Sequence, residues 1–199
     1  MRPRAFDEEV LLEQAFALFW RRGIRTTSLA EIAQATGVQR GSLYNAYGDK
    51  ESLFLAAHRR YADGYLAAVG KVMSSGSLRQ RLEGFCDVSI TNFCAGKPSR
   101  SCPTTRGLME VAPNNREGLS DRSAAAFSVL LRQILERVEG AFRDGAQRGE
   151  FSGDAALAAG QLVAMVRGLV ILERTLFHEP QLREIATHTI DTILAGSGS

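Results

Sequence analysis

"TSLAEIAQATGVQRGSLYNAYGDKESLF", residues 27–54, holds two short helix-like patterns with almost nothing between them. Ser28 and Glu31 have the spacing of a capping box, and Leu29, Ile32 and Ala33 recur at helical intervals behind them. Gly37 breaks this first helix. A second runs from about Gln39 to Ala46, and Gly48 closes it. Asp49 then caps a long helix reaching about Val72. Helix, tight glycine-containing turn and short second helix make the helix-turn-helix layout.

A helix this short cannot bury itself well, so most of its surface must serve something other than packing. Val38, Leu43 and Tyr47 suffice as anchors against Leu29, Ile32 and Phe16. That leaves Gln39, Arg40, Ser42 and Asn45, with Tyr44, facing outward. Arginine and glutamine read guanine and adenine edges bidentately, and serine accepts either base. Gly41 removes a side chain where a backbone can approach DNA. Between Arg21 and Gly48 stand four arginines (Arg21, Arg22, Arg25, Arg40) against one acid, Glu31. Thr27 and Ser28 lie at a helix N-terminus, where amides favour a phosphate. Lys50 is placed to reach the DNA backbone. The pattern alone is equally compatible with a solvated turn between packed helices.

The rest of the chain reads all-α, as about nine helices. A first helix is capped by Asp7 and ended by Gly23, with Leu12, Ala15, Phe16 and Phe19 as its buried stripe and Phe6 and Leu11 as a staple. "SSGS" (74–77) separates the fourth helix from a fifth, about Leu78 to Ala95. "GKPSRSCPTTRG" (96–107) reads as a loop, because Pro98 and Pro103 interrupt helix. A short sixth helix is expected over Leu108–Val111. A seventh follows over Asp121–Gln147, an eighth over Ala155–Phe177, and a ninth from Pro180 to about Leu194. The organisation is a helix-turn-helix unit over residues 1–48 and a larger helical bundle over 49–199.

Bulk properties exclude more than they assign. The chain has 199 residues, 45% of them hydrophobic, and a net charge of +2, so overall charge says little about nucleic acid. Three cysteines, Cys86, Cys94 and Cys102, form no disulfide framework. The opening "MRPRAFDEEV" has no apolar h-region, and the longest apolar run, 155–172, contains Gln161 and Arg167. The expected setting is therefore a reducing cytoplasm, with no membrane span. His58, His178 and His188 are scattered, so no metal site or cofactor is expected. His188 with Asp191, and His178 with Glu179, lack any accompanying nucleophile motif or phosphate loop, which argues against an enzyme.

Residues 8–55 resemble the N-terminal signature of TetR-family (tetracycline-repressor-like) transcriptional regulators. The resemblance lies in "FWRRGIRTTSLAEIAQATGVQRGSLYNAYGDKESLF": a helix, then "G…TS", "IA…GV", "GSLY", a second aromatic and "DKESLF". It implies a homodimeric repressor of a palindromic double-stranded DNA operator, released when a small molecule enters the C-terminal domain. It implies phosphate contacts from Thr27, Tyr44, Lys50 and Tyr47, and base reading by Gln39, Arg40 and Ser42. The commonest form of the signature has His-Phe where this chain has Ala46-Tyr47, so Tyr47 stands as either a buried anchor or a phosphate ligand.

In the C-terminal half, Ala156, Gly160, Ala164 and Gly168 put small residues on one face of the eighth helix, with Leu162, Val166 and Leu169 opposite. A helix apolar on most sides needs two partners, which points to a homodimer or to a core helix. The candidate effector pocket is lined by Phe85, Ser89, Phe93, Met109, Phe127, Leu131, Met165 and Leu172, residue types equally at home in a core. Cys102, near Arg100 and Arg106 in sequence, raises a second possibility, a regulator responding to oxidants or electrophiles through a thiol.

Overall fold

The structure is a computed structural model that describes residues 6–96, 101–110, 121–176 and 178–196. Among the described residues there are nine helices and no strand. They are α1 (Glu8–Arg22), α2 (Leu29–Thr36), α3 (Arg40–Tyr47), α4 (Lys50–Met73), α5 (Leu78–Cys94), α6 (Pro103–Glu110), α7 (Asp121–Gln147), α8 (Ala155–Thr175) and α9 (Glu179–Ala195).

Local chemistry sets most of these bounds. The Asp7 carboxylate accepts from the amides of Glu9 and Val10 at 2.9 and 3.3 Å, and the Gly23 amide closes α1 on the Phe19 carbonyl at 2.8 Å. Ser28 and Glu31 form the expected capping box of α2. A second box, Ser77 with Gln80, starts α5. The Asp154 carboxylate caps α8.

One boundary differs from expectation. The sixth helix begins at Pro103 and is not the short turn expected over Leu108–Val111. Proline lacks an amide hydrogen, but the first amides of a helix have no intrahelical partner anyway, so proline starts a helix as readily as it breaks one. Cys102 assists from the position before, its sulfur accepting from the Thr105 amide at 3.5 Å.

By packing, the chain divides into two units. The first comprises Met1–Gly64 and Arg106–Ser128, and the second Tyr65–Thr105 and Val129–Ser199. α4 and α7 thus each supply residues to both.

The first unit is built around aromatic rings. Phe16 stacks on Tyr61 with centroids 4.9 Å apart, and Phe54 meets Phe19 and Phe127 edge-on at 5.3 and 5.9 Å. Leu11, Ala15, Ile32, Leu43 and Leu53 fill the space between them, each 1% exposed or less. His58 lies inside this cluster, 5.0 Å from the Phe127 ring, and burial pushes its imidazole down to about 4. It is therefore neutral at physiological pH and packs as an aromatic. α6 lies so close that a Cβ at Gly107 would come within 2.3 Å of the Phe127 ring, so only glycine fits there.

In the second unit α5, α8 and α9 pack on one another. Phe85, Leu82, Leu162, Val166, Leu182 and Ile190 are all buried there. Arg81 is buried along its stem and reaches the half-exposed Asp144 carboxylate at 3.2 Å.

Candidate nucleic-acid interface

The geometry of the interface begins with the turn. Gly37 adopts φ +69°, a left-handed conformation that reverses the chain after α2 and that a side chain would strain. Val38 returns to the core, and Leu43, fully buried, fastens α3 against it. With α3 pinned on that side, the opposite face is open. Gln39, Arg40, Gly41, Tyr44 and Asn45 are all exposed, and Tyr44 is 64% exposed. An aromatic ring left in water at that level invites a partner.

These side chains are also uncommitted to the fold. Gln39 occupies the N-cap position of α3 but makes no side-chain capping bond. Arg40 enters no ion pair among the described residues. A Cβ at Gly41 would meet nothing within 4 Å, so the fold itself does not require glycine there. Ser42 is half-buried, with its amide turned back to the Gln39 carbonyl at 2.9 Å.

Three of the expected backbone contacts have partners within the chain. Thr27 is 1% exposed, and its hydroxyl donates to the Gly23 carbonyl at 2.7 Å, tying the turn before α2 to the end of α1. That hydroxyl is not available to a phosphate. Ser28 is exposed, yet its amide and hydroxyl both donate to the Glu31 carboxylate, at 2.8 and 2.9 Å. These hydrogen bonds, with Arg22 beside them at 2.6 Å, hold the Glu31 carboxyl below its ordinary range. The N-terminus of α2 already carries a negative charge, so a phosphate there meets competition.

Tyr47 packs inward. Its ring is half-buried against the core, and its hydroxyl lies 3.1 Å from the Glu8 carboxylate at the start of α1. A carboxylate in that position repels a phosphate. Tyr47→Phe should therefore change DNA affinity by less than about twofold while lowering stability by about 0.5–1.5 kcal/mol, the net value of one such hydrogen bond. A loss of affinity of tenfold or more in a binding titration would restore the phosphate role.

Lys50 keeps its ammonium near the surface of α2's approach, donating to the Arg25 carbonyl at 3.2 Å. Arg21 and Arg25 are exposed nearby in sequence. The sequence reading missed a further group. Arg122 and Ser123, at the start of α7, reach the acids on either side of Lys50. Their partners are about seventy residues away in sequence, so no local pattern announces them.

The expected effector residues fall in both units. Phe127 belongs to the first unit, packed on Phe54 and His58. Phe85, Ser89 and Phe93 are buried on α5, and Leu131, Met165 and Leu172 are half-buried. Met109 lies outside the residues whose side chains are described. A groove of about 490 Å³ runs instead between α5 and α9, past Glu83, Cys86, Asp87 and Arg183. Deeper in the second unit the Ser89 and Tyr65 hydroxyls share a hydrogen bond of 2.7 Å. Burial holds the Tyr65 phenol above its ordinary range, with Arg167 opposing.

Of the cysteines, Cys86 is pushed up to about 12 and Cys94 to about 11, each by burial first and nearby carboxylates second. Cys102 differs in its neighbours. Its sulfur accepts from the Arg167 guanidinium at 3.1 Å as well as from the Thr105 amide. The partner is Arg167, not the Arg106 that lies close in sequence, which donates to the Trp20 carbonyl. Arg100 lies outside the described residues. Among the described residues no group of three or more His, Cys, Asp or Glu side chains is placed to hold a metal ion.

Comparison with known proteins follows this geometry. Residues 11–57 match the family model described as bacterial regulatory proteins, tetR family. The chain is 42% identical over 66 residues to the HTH-type transcriptional repressor ComR of Escherichia coli (strain K12), a stretch covering 33% of the chain and 31% of ComR. The chain thus matches about a third of that relative's length. It is 27% identical over 154 residues to YezE of Bacillus subtilis (strain 168), described as an uncharacterized HTH-type transcriptional regulator, covering 77% of the chain and 75% of YezE. Among solved structures it resembles the regulator CifR, a cysteine mutant complexed with 26-bp operator DNA, with TM-score 0.85, 22% identity and coverage of 97% and 100%. It also resembles the reduced form of E. coli NemR, with TM-score 0.84, 22% identity and coverage of 96% and 98%. At such identities the likeness establishes the all-helical architecture.

Proposed function

We propose that the chain is a TetR-family regulator, a homodimeric repressor released from a palindromic operator by a small molecule; its residues 11–57 match the family model described as bacterial regulatory proteins, tetR family. The observation that carries the reading is the exposed, uncommitted face of α3 behind the glycine turn. In this reading Gln39, Arg40 and Ser42 read bases, while Tyr44, Asn45 and Lys50 contact the backbone, with Ser28 offering at most a shared amide edge. Residues 1–48 act as the DNA-binding domain and 49–199 as the effector and dimerisation domain. No catalytic chemistry is required, and the protein works in the cytoplasm, where the DNA is.

The dimer is supported by what α8 leaves uncovered. Leu157 is 73% exposed and Ile171 50%, on the side that carries Ala164 and Gly168. α8 is long and apolar enough to cross a membrane. Arg167, however, lies within it and is engaged by Cys102, so a second copy of the chain is the better cover. Two recognition helices about 34–36 Å apart then meet successive major grooves on one side of the DNA. The effector acts by binding the two arrangements of the dimer with different affinity, shifting α4 and the spacing of the heads. Selection of operator sequences from random DNA, repeated with candidate effectors, tests the whole reading. Recovery of no palindromic site would sink it.

The environment of Cys102 supports a second reading, that the release signal is an oxidant or electrophile. The Cys102 sulfur accepts from the Arg167 guanidinium at 3.1 Å, whereas burial holds Cys86 and Cys94 as thiols. One structurally similar regulator was solved in a reduced form and another with its cysteines substituted. Cys102→Ser should retain operator binding and lose at least about tenfold of any oxidant-induced release; equal release by wild type and variant in a mobility-shift titration would remove the reading.

A further inference from the structure

Asp49 presents a conflict. Its carboxylate caps α4 by accepting from the Ser52 amide at 2.6 Å, which places a negative charge at the start of the helix. Glu51 stands two residues on. Lys50, a proposed phosphate contact, is thus flanked on both sides by negative charge. Phosphates brought to this turn would meet two carboxylates along with the single ammonium.

The start of α7 supplies an answer. The Arg122 guanidinium lies 3.0 Å from the Glu51 carboxylate and 3.5 Å from that of Asp49. The Ser123 hydroxyl, fully buried, donates to the other Glu51 oxygen at 2.7 Å. All four residues belong to the first unit, and α7 continues beyond Ser128 into the second. Arg122 is itself half-exposed, so the pair adds little to folding. Its charge placement is what stands out.

We propose that Arg122 is a positioning residue for DNA binding, which offsets the charges of Asp49 and Glu51 and holds the first turn of α4 so that Lys50 can engage a phosphate. The proposal rests on the reading of α3 and Lys50 as the DNA-facing edge. Arg122 touches no base and need touch no phosphate. Its removal takes the guanidinium's positive charge away from the Asp49 and Glu51 carboxylates beside the polyanion, leaving a repulsion that salt screens. Because α7 passes from one unit to the other, withdrawing its first turn would uncover those carboxylates and favour release.

The test is a binding titration of the full-length protein against a selected operator, at about 50 mM and about 300 mM salt, with melting curves as the control for folding. Arg122→Ala should weaken binding about tenfold at the lower salt and about threefold or less at the higher, with its melting temperature nearly unchanged. Adding Glu51→Gln to Arg122→Ala should restore part of the lost affinity, because one of the two carboxylate charges is gone. A purely structural contact gives no such rescue, since the double variant has lost both partners. Wild-type affinity in Arg122→Ala, or a loss that neither salt nor Glu51→Gln reduces, overturns the proposal while leaving the DNA-binding reading standing. Failure of the wild-type protein to bind DNA of any sequence overturns both.

Discussion

Gly168→Leu should leave each chain folded and cost the protein its high-affinity operator binding. A Cβ at Gly168 meets nothing within 4 Å in its own chain, so the larger side chain projects from α8 without displacing a neighbour. Leucine also suits a helix interior better than glycine, by up to about 1 kcal/mol. Any loss must therefore come from outside the chain. In the proposed dimer the small residues at 156, 160, 164 and 168 let two helices approach closely, and an isobutyl group between them forces the backbones apart. A dimer joins two weak half-site contacts, and the second becomes effectively intramolecular. Losing that linkage costs about 10²–10⁴ in apparent affinity. Sedimentation should show monomers and anisotropy with operator DNA the matching loss. Ile171→Glu, at a half-exposed position on the same helix, should behave alike. Dimers of unchanged affinity in both variants would move the interface elsewhere.

The recognition face offers the second large effect, because two neighbouring substitutions there should fail for different reasons. Arg40→Ala removes a side chain that the fold does not use, so stability should hold. Specific binding should fall by about 1–3 kcal/mol, roughly 5- to 150-fold, with a smaller change on random DNA. Equal losses on both would make Arg40 a phosphate contact. Gly41→Ala adds a methyl group into open space on α3 and should raise the melting point slightly, as alanine for glycine stabilises a helix by about 0.5–1 kcal/mol. If the DNA backbone approaches as closely as the missing side chain allows, the more stable variant should bind at least about tenfold more weakly. Unchanged binding would show that Gly41 gives no clearance.

Both expectations depend on features that were visible in the sequence to different degrees. The capping box at Ser28 and Glu31, the glycine turn at Gly37 and the anchoring of α3 by Leu43 were legible because each depends on residues a few positions apart. Tyr44 and Asn45 were legible too, since helical periodicity turns them away from Leu43, whereas Gln39 and Arg40, four and three residues before it, are exposed at the start of the helix. Proline misled at α6, where one residue type is compatible with both starting and breaking a helix. Thr27 was ambiguous, because a hydroxyl at a helix N-terminus suits a phosphate and a neighbouring carbonyl equally; in the fold it is buried on the Gly23 carbonyl.

What the sequence by itself determined is local: the helices, their caps, the tight turn, and which face of the short third helix is polar. Those properties follow from backbone hydrogen bonding and side-chain spacing over a turn or two. What only the tertiary structure decided is every pairing across long separations. Tyr47 is held by Glu8, Phe127 joins the aromatic cluster of the head, Cys102 faces Arg167, and Arg122 answers the acids beside Lys50. A long-range partner is selected by the packing of whole helices, and that depends on the summed burial of many apolar residues rather than on any motif around the charge itself.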